Sequence, residues 1–170
     1  KYTLNFNSSA KYVSWAESGY TTNIVNSTVF NYSGRYLAQS VVLTNKNTTA
    51  ATSAAIESFT QYKDNGNPDQ QLDYTLNFKT GSNYVNWSAA SYSANIVNST
   101  LYNYAGKYLK NSVVLNGRKT LATSGDPIES YSEYDQSPDQ KLLYTLNFIS
   151  KSPTAVGFIG GWGSGYAPDD

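Results

Sequence analysis

Four carboxylates recur at matching places along this chain: Glu57 with Glu129, and Asp69 with Asp139. Paired carboxylates serve glycoside hydrolysis when one acts as acid and the other as base or nucleophile at a set separation. Asp69 and Asp139 each follow a proline, in NPDQ and SPDQ. There an aspartate commonly bonds its own backbone, so turn chemistry is the preferred reading. A small domain seldom needs one catalytic site twice, whereas it often needs a binding site twice. Hydrolysis therefore ranks third among the functions considered. DNGNPD (Asp64–Asp69) has oxygen ligands at calcium-loop intervals, but its copy DQSPD loses two of them, and no bound ion is expected.

The aromatic residues recur as well: Trp15 with Trp87, Tyr20 with Tyr92, Tyr32 with Tyr104, Tyr36 with Tyr108 and Tyr62 with Tyr134. Trp162 and Tyr166 add to them near the end. Aromatic faces stack on the apolar faces of sugar rings, and Asn, Asp or Ser side chains take the hydroxyls. The competing role is core packing, because each ring buries a large area. The segments after the tryptophans, Ser18–Tyr20 and Ser91–Tyr92, read as loops, where binding residues concentrate. The expected ligand sites are Trp15, Tyr20 and Asn31 or Asp69, then Trp87, Tyr92 and Asn103 or Asp139, with Trp162 and Tyr166 in the last segment.

Other chemistries have no residues to use. The chain has 170 residues with no His, Cys or Met. Ser–His and Cys–His nucleophile pairs, ordinary zinc sites and disulfides are thereby excluded. No cofactor or metal is expected. Twelve basic and twelve acidic residues give zero net charge, which argues against nucleic acid as a partner. No apolar run is long enough to span a bilayer as a helix, so no membrane insertion is expected. Lys1 opens inside a strand-like pattern, as it would after loss of a leader or initiator Met. Six Asn-x-Ser/Thr sequons, at Asn7, Asn26, Asn31, Asn47, Asn86 and Asn98, are glycan acceptors only in a eukaryotic secretory context.

These residues are positioned by a duplication. YTLNF occurs at Tyr2–Phe6, Tyr74–Phe78 and Tyr144–Phe148. At a shift of 72, NIVNST (Asn23–Thr28) recurs unchanged, VFNYSGRYL falls on LYNYAGKYL, and SVVL and IES repeat. A fixed period of this kind marks duplicated structural units. Unit one spans 2–73, unit two 74–143, and a closing segment 144–170. The expected reading of the third YTLNF is a strand that completes unit two and removes an exposed edge. A longer array of repeats is the other.

In LDYTLNF, apolar Leu72, Tyr74, Leu76 and Phe78 alternate with Asp73, Thr75 and Asn77, the period of a half-buried strand. Further strands are expected at Lys11–Trp15, Thr22–Phe30, Arg35–Leu43 and Ile56–Tyr62, with copies 72 residues on. Thr48–Ala55 is expected as loop, because its copy holds Gly125 and Pro127. About five strands per unit predict one all-β domain, a barrel or sandwich. The function expected is a non-enzymatic carbohydrate-binding protein, a lectin with one glycan site per repeat, secreted or at a cell surface, and homo-oligomerisation is compatible with it. A structural or adhesive extracellular β module is the alternative.

Overall fold

The structure, a computed structural model, describes residues 1–7, 10, 22–63, 70–92, 94–123 and 125–148. Among these residues nine strands run in chain order: β1 (Tyr2–Phe6), β2 (Ile24–Ser33), β3 (Tyr36–Thr44), β4 (Ile56–Tyr62), β5 (Leu72–Phe78), β6 (Ile96–Ala105), β7 (Tyr108–Asn116), β8 (Ile128–Tyr134) and β9 (Leu142–Asn147). They form a single sheet in which each strand pairs antiparallel with the next. Among the described residues the only helical element is a 3-10 turn, Ala89–Ser91.

The β5–β6 register reproduces the β1–β2 register: Tyr2 faces Val29 as Tyr74 faces Leu101, and Asn5 faces Asn26 as Asn77 faces Asn98. The β8–β9 register likewise reproduces β4–β5, Tyr131 facing Leu146 as Phe59 faces Leu76. The three YTLNF segments thus lie at the first edge, in the centre and at the last edge of the sheet. The tight β2–β3 and β6–β7 turns place Gly34 at φ 60° and Gly106 at φ 61°. That is the left-handed first position of a two-residue hairpin turn, which glycine adopts without a Cβ penalty.

One face of the sheet is apolar. Val29, Val41, Phe59 and Leu76 lie side by side across β2 to β5, and Tyr74, Leu101, Val113 and Tyr131 continue through β8. All are buried. Segments between strands cover this face. In the 79–95 connection Tyr84, Ala89 and Tyr92 are buried, and Tyr92 lays its ring 4.9 Å from Phe78 and 5.8 Å from Phe59. Backbone bonds from Ile56 to Ser82 (2.8 Å) and from Tyr84 to Ala54 (2.8 Å) tie this connection to the start of β4 and the segment before it.

The opposite face carries Thr28, Val42, Ser58, Asn77, Asn98 and Asn116 in one row across six strands. The row beside it holds Ser40, Thr60, Thr75, Thr100, Val114 and Ser130. Among the described residues no strand is stacked on it.

Two expectations are corrected here. Among the described residues the strands form an open sheet in place of the expected barrel or sandwich: β1 pairs only with β2 and β9 only with β8. The physical reason is the polar second face, which needs no apolar layer over it, while connections cover the first. The strand expected at Asn83–Trp87 does not form. Asn83 makes one isolated bridge to Ala55, and the chain then crosses over the core instead of joining the ladder. Its equivalent, Lys11–Trp15, lies outside the described residues. The 48–55 segment is loop, as expected, and no helix among the described residues is long and apolar enough to cross a membrane.

Candidate functional site on the uncovered face

Strand alternation sends Asn5, Asn26 and Thr44 to the uncovered face, away from Leu4, Ser27 and Leu43. An irregularity in the β3–β4 register, between Val42 and Leu43, lets Glu57 reach the same place. Asn5 Nδ2 donates to Asn26 Oδ1 at 2.7 Å, and Asn26 Nδ2 donates to Glu57 Oε2 at 3.0 Å. Thr44 Oγ1 approaches Glu57 Oε1 at 3.4 Å. The arrangement recurs 72 residues on. Asn77 donates to Asn98 (2.8 Å), Asn98 to Glu129 Oε2 (2.9 Å) and Asn116 to Glu129 Oε1 (3.3 Å).

Each network is a carboxylate held in place by two neutral donors, with acceptor capacity left over. A carboxylate accepts at about four lone-pair sites, and each amide keeps further donor and acceptor positions. Such a group can receive vicinal hydroxyls. The two glutamates stand four strands apart, about 19 Å at roughly 4.8 Å per step. Glycoside hydrolysis needs its carboxyls about 5–9.5 Å apart, so Glu57 and Glu129 do not form such a pair. Among the described residues no group of three or more His, Cys, Asp or Glu could hold a metal ion.

The other end of this face is aromatic. In four hairpins the register slips at one place, and the residue after the slip is a tyrosine opposite a leucine: Tyr32–Leu37, Tyr62–Leu72, Tyr104–Leu109 and Tyr134–Leu142. The preceding residues, Asn31, Gln61, Asn103 and Glu133, share the covered face with the core, so the tyrosines take the uncovered one. The slip is supported by a pair of glutamines. Gln70 and Gln140 adopt left-handed φ of 47° and 46°. Their side chains accept the backbone N–H of Leu37 (2.7 Å) and Leu109 (3.1 Å). This gives the final Gln of NPDQ and SPDQ a role that composition did not reveal.

The residues singled out from sequence are distributed as follows. Trp15, Tyr20, Asp69, Trp162 and Tyr166 lie outside the described residues. Tyr92 is 3% exposed, its hydroxyl donating to Asn86 O (2.8 Å) and accepting from Val85 N (3.2 Å). Burial pushes its phenol pKa up. Trp87 is half-buried, edge-on to Tyr84 at 5.7 Å. A cavity of about 150 Å³ beside Tyr92, Phe78 and Asn95 is smaller than the roughly 300–1,000 Å³ of small-molecule sites.

Asn103 pairs across to Asn111 on the covered face. It lies seven residues along β6 from Ile96, the partner of Phe78, or about 23 Å from the Tyr92 end. Asn31 donates to Gln39 (2.7 Å) in the matching place. Asp139 is exposed in the β8–β9 turn, 3.5 Å from Lys141. The structure therefore groups Trp87 with Tyr92 but brings neither to Asn103 or Asp139. The Asn–Glu networks were missed as sites, although the matching places of Asn5, Asn26 and Glu57 in both units were the available signal.

The chain matches no protein-family model, and comparison with curated proteins and with solved structures returns no significant match.

Proposed function

We propose that this chain is a non-enzymatic carbohydrate-binding protein, a lectin built from two tandem pseudo-repeats with one glycan site in each. The observation that carries the reading is the duplicated Asn–Asn–Glu network on one uncovered face. Amides and a carboxylate held by neutral donors suit sugar hydroxyls, and the arrangement occurs twice on one sheet. Two weak sites on a rigid body gain avidity toward a multivalent target, which gives duplication a physical use. The third YTLNF strand then serves to complete unit two, and secretion or surface display is where such a target would be met.

The test is a glycan array followed by titration calorimetry with a bound saccharide. The expected stoichiometry is about two per chain. Glu57→Gln should remove one site and Glu57→Gln with Glu129→Gln both, while the melting temperature holds. An empty array, or binding indifferent to both glutamates, overturns the reading. A structural or adhesive module is the second reading. It is favoured by apolar residues on the last strand, where Leu142, Leu143 and Tyr144 are 55%, 58% and 47% exposed. An empty array with concentration-dependent self-association would select it.

A further inference from the structure

We propose that the tyrosine row at one end of the uncovered face binds a neutral, linear, β-linked polysaccharide lying across the strands. This rests on the carbohydrate-binding reading above and names the class of ligand. Tyr32, Tyr62, Tyr104 and Tyr134 stand on β2, β4, β6 and β8, every second strand, with leucines on the strands between. Successive rings are therefore about 9.6 Å apart, two inter-strand steps. An extended β-1,4-linked hexose chain turns by half a rotation per sugar, so every second ring presents the same face. Two sugar lengths in such a chain are close to two strand steps. A polymer of this shape can meet each tyrosine with an equivalent face, whereas a coiled α-linked chain cannot hold that register.

The surroundings fit the same occupant. Tyr32 is 41% exposed and the other three rings are half-buried, so each ring is supported from beneath. Tyr104 is fixed by its hydroxyl, which accepts the backbone N–H of Leu72 at 3.1 Å. Lys63 Nζ lies 4.9 Å from the Tyr104 ring centre and Lys1 Nζ 5.3 Å from that of Tyr32, so a sugar stacking on either of these faces takes the place of a flexible lysine side chain. No carboxylate stands in the row itself. Lys63 is opposed by the carboxylate of Asp73, next to Leu72, which leaves the Tyr62–Tyr104 part of the row close to neutral and suits an uncharged polymer.

The test uses the full chain with cellohexaose, cellobiose, maltohexaose and polygalacturonate in titration calorimetry. Cellohexaose should bind at least about tenfold more tightly than cellobiose, and maltohexaose should bind weakly. Tyr62→Ala with Tyr134→Ala should weaken cellohexaose about tenfold or more. Tyr62→Phe with Tyr134→Phe should retain it, because stacking needs the ring and not the hydroxyl. Unfolding midpoints of both variants separate lost contact from lost fold, and Tyr62→Ser alone, read the same way, carries the test if the Ala pair unfolds. Equal affinity for cellobiose and cellohexaose, preference for polygalacturonate, or cellohexaose binding that ignores the tyrosines overturns the proposal. Array ligands that depend on Glu57 and Glu129 would still stand in that case, so the two readings fail separately.

Discussion

Tyr74 and Tyr144 are the same residue of the same pentapeptide, yet one is 9% exposed and the other 47%. Tyr2, the third, is 38% exposed. The difference lies in what flanks them. β5 pairs with β4 on one side and β6 on the other, and the 79–95 connection that follows it packs Tyr92 against Phe78. Among the described residues β1 and β9 each have one neighbour. Local alternation is enough to make YTLNF a strand in all three places. Burial, and with it stabilisation, comes from the second neighbour and the cover.

The largest effect should separate the central copy from an edge copy. Leu76 is fully buried, and Leu76→Ala should cost about 2–5 kcal/mol, as expected where a cavity opens in a packed core. Leu4→Ala, at the same place on the edge strand and half-buried, should cost about 1 kcal/mol. Urea unfolding of the two variants checks this. Equal costs would mean that β1 is as well covered as β5, and the comparison would break.

Next is the alkaline limb of stability. Burial raises the pKa of Tyr74, helped by the nearby Asp73 charge. It pushes Tyr84 up to about 12, with Tyr92 adding to the effect, and also raises Tyr104 and Tyr131. A phenol whose folded pKa lies above its unfolded value of 10.0 binds its proton more tightly in the native state. Its contribution is complete below pH 10 and is lost as pH rises toward the folded value, near 12 for Tyr84. Unfolding monitored by tryptophan fluorescence should show stability falling above pH 10, and Tyr84→Phe should soften the fall. No change in the variant would mean that Tyr84 ionises alike in both states.

Much of this fold could be read from residue order. The strands at Ile56–Tyr62 and Leu72–Phe78 begin and end where alternation and turn residues place them. The openness of the sheet could not be read, because period-two patterns are the same in a barrel, a sandwich or a single layer. Nor could the fate of Tyr92. A tyrosine after Ala-Ala-Ser reads as an exposed loop residue, but after the 3-10 turn at Ala89–Ser91 the Tyr92 ring lies against Phe78 and Phe59. Nor could the register slips, which set Tyr62 opposite Leu72 and Tyr134 opposite Leu142. Each depends on which residue of the neighbouring strand is skipped, and no local pattern encodes that.

A smaller effect should distinguish unit two from unit one. Asp126, 4% exposed, receives Thr123 N at 2.8 Å and Thr123 Oγ1 at 2.9 Å and is paired with Lys119. Unit one has Ala54 and Asn47 in these places. Burial disfavours the Asp126 charge, but the bonds from Lys119 and Thr123 outweigh it and hold the pKa below 3.8. A depressed carboxylate pKa confers stability that is present above pH 3.8 and lost as pH falls through the folded value. Asp126→Ala should cost about 1–3 kcal/mol at neutral pH and flatten the acid limb. An acid limb unaltered by the substitution would count against the pair.

The smallest effect concerns the uncovered face, where the centre and the edge should behave alike. Asn5 on the edge strand and Asn77 on the central one make the same amide bond, to Asn26 at 2.7 Å and to Asn98 at 2.8 Å. Neither contact depends on a cover, since no strand is stacked on this face among the described residues. Solvent can replace either partner, so the net contribution of each bond is small. Asn5→Ala and Asn77→Ala should therefore each cost less than about 1 kcal/mol, and by similar amounts. If the gradient between β5 and β1 arises on the covered face alone, these two values coincide while those of Leu76 and Leu4 diverge. An Asn77→Ala cost well above that of Asn5→Ala would show that strand pairing, and not cover, sets the difference.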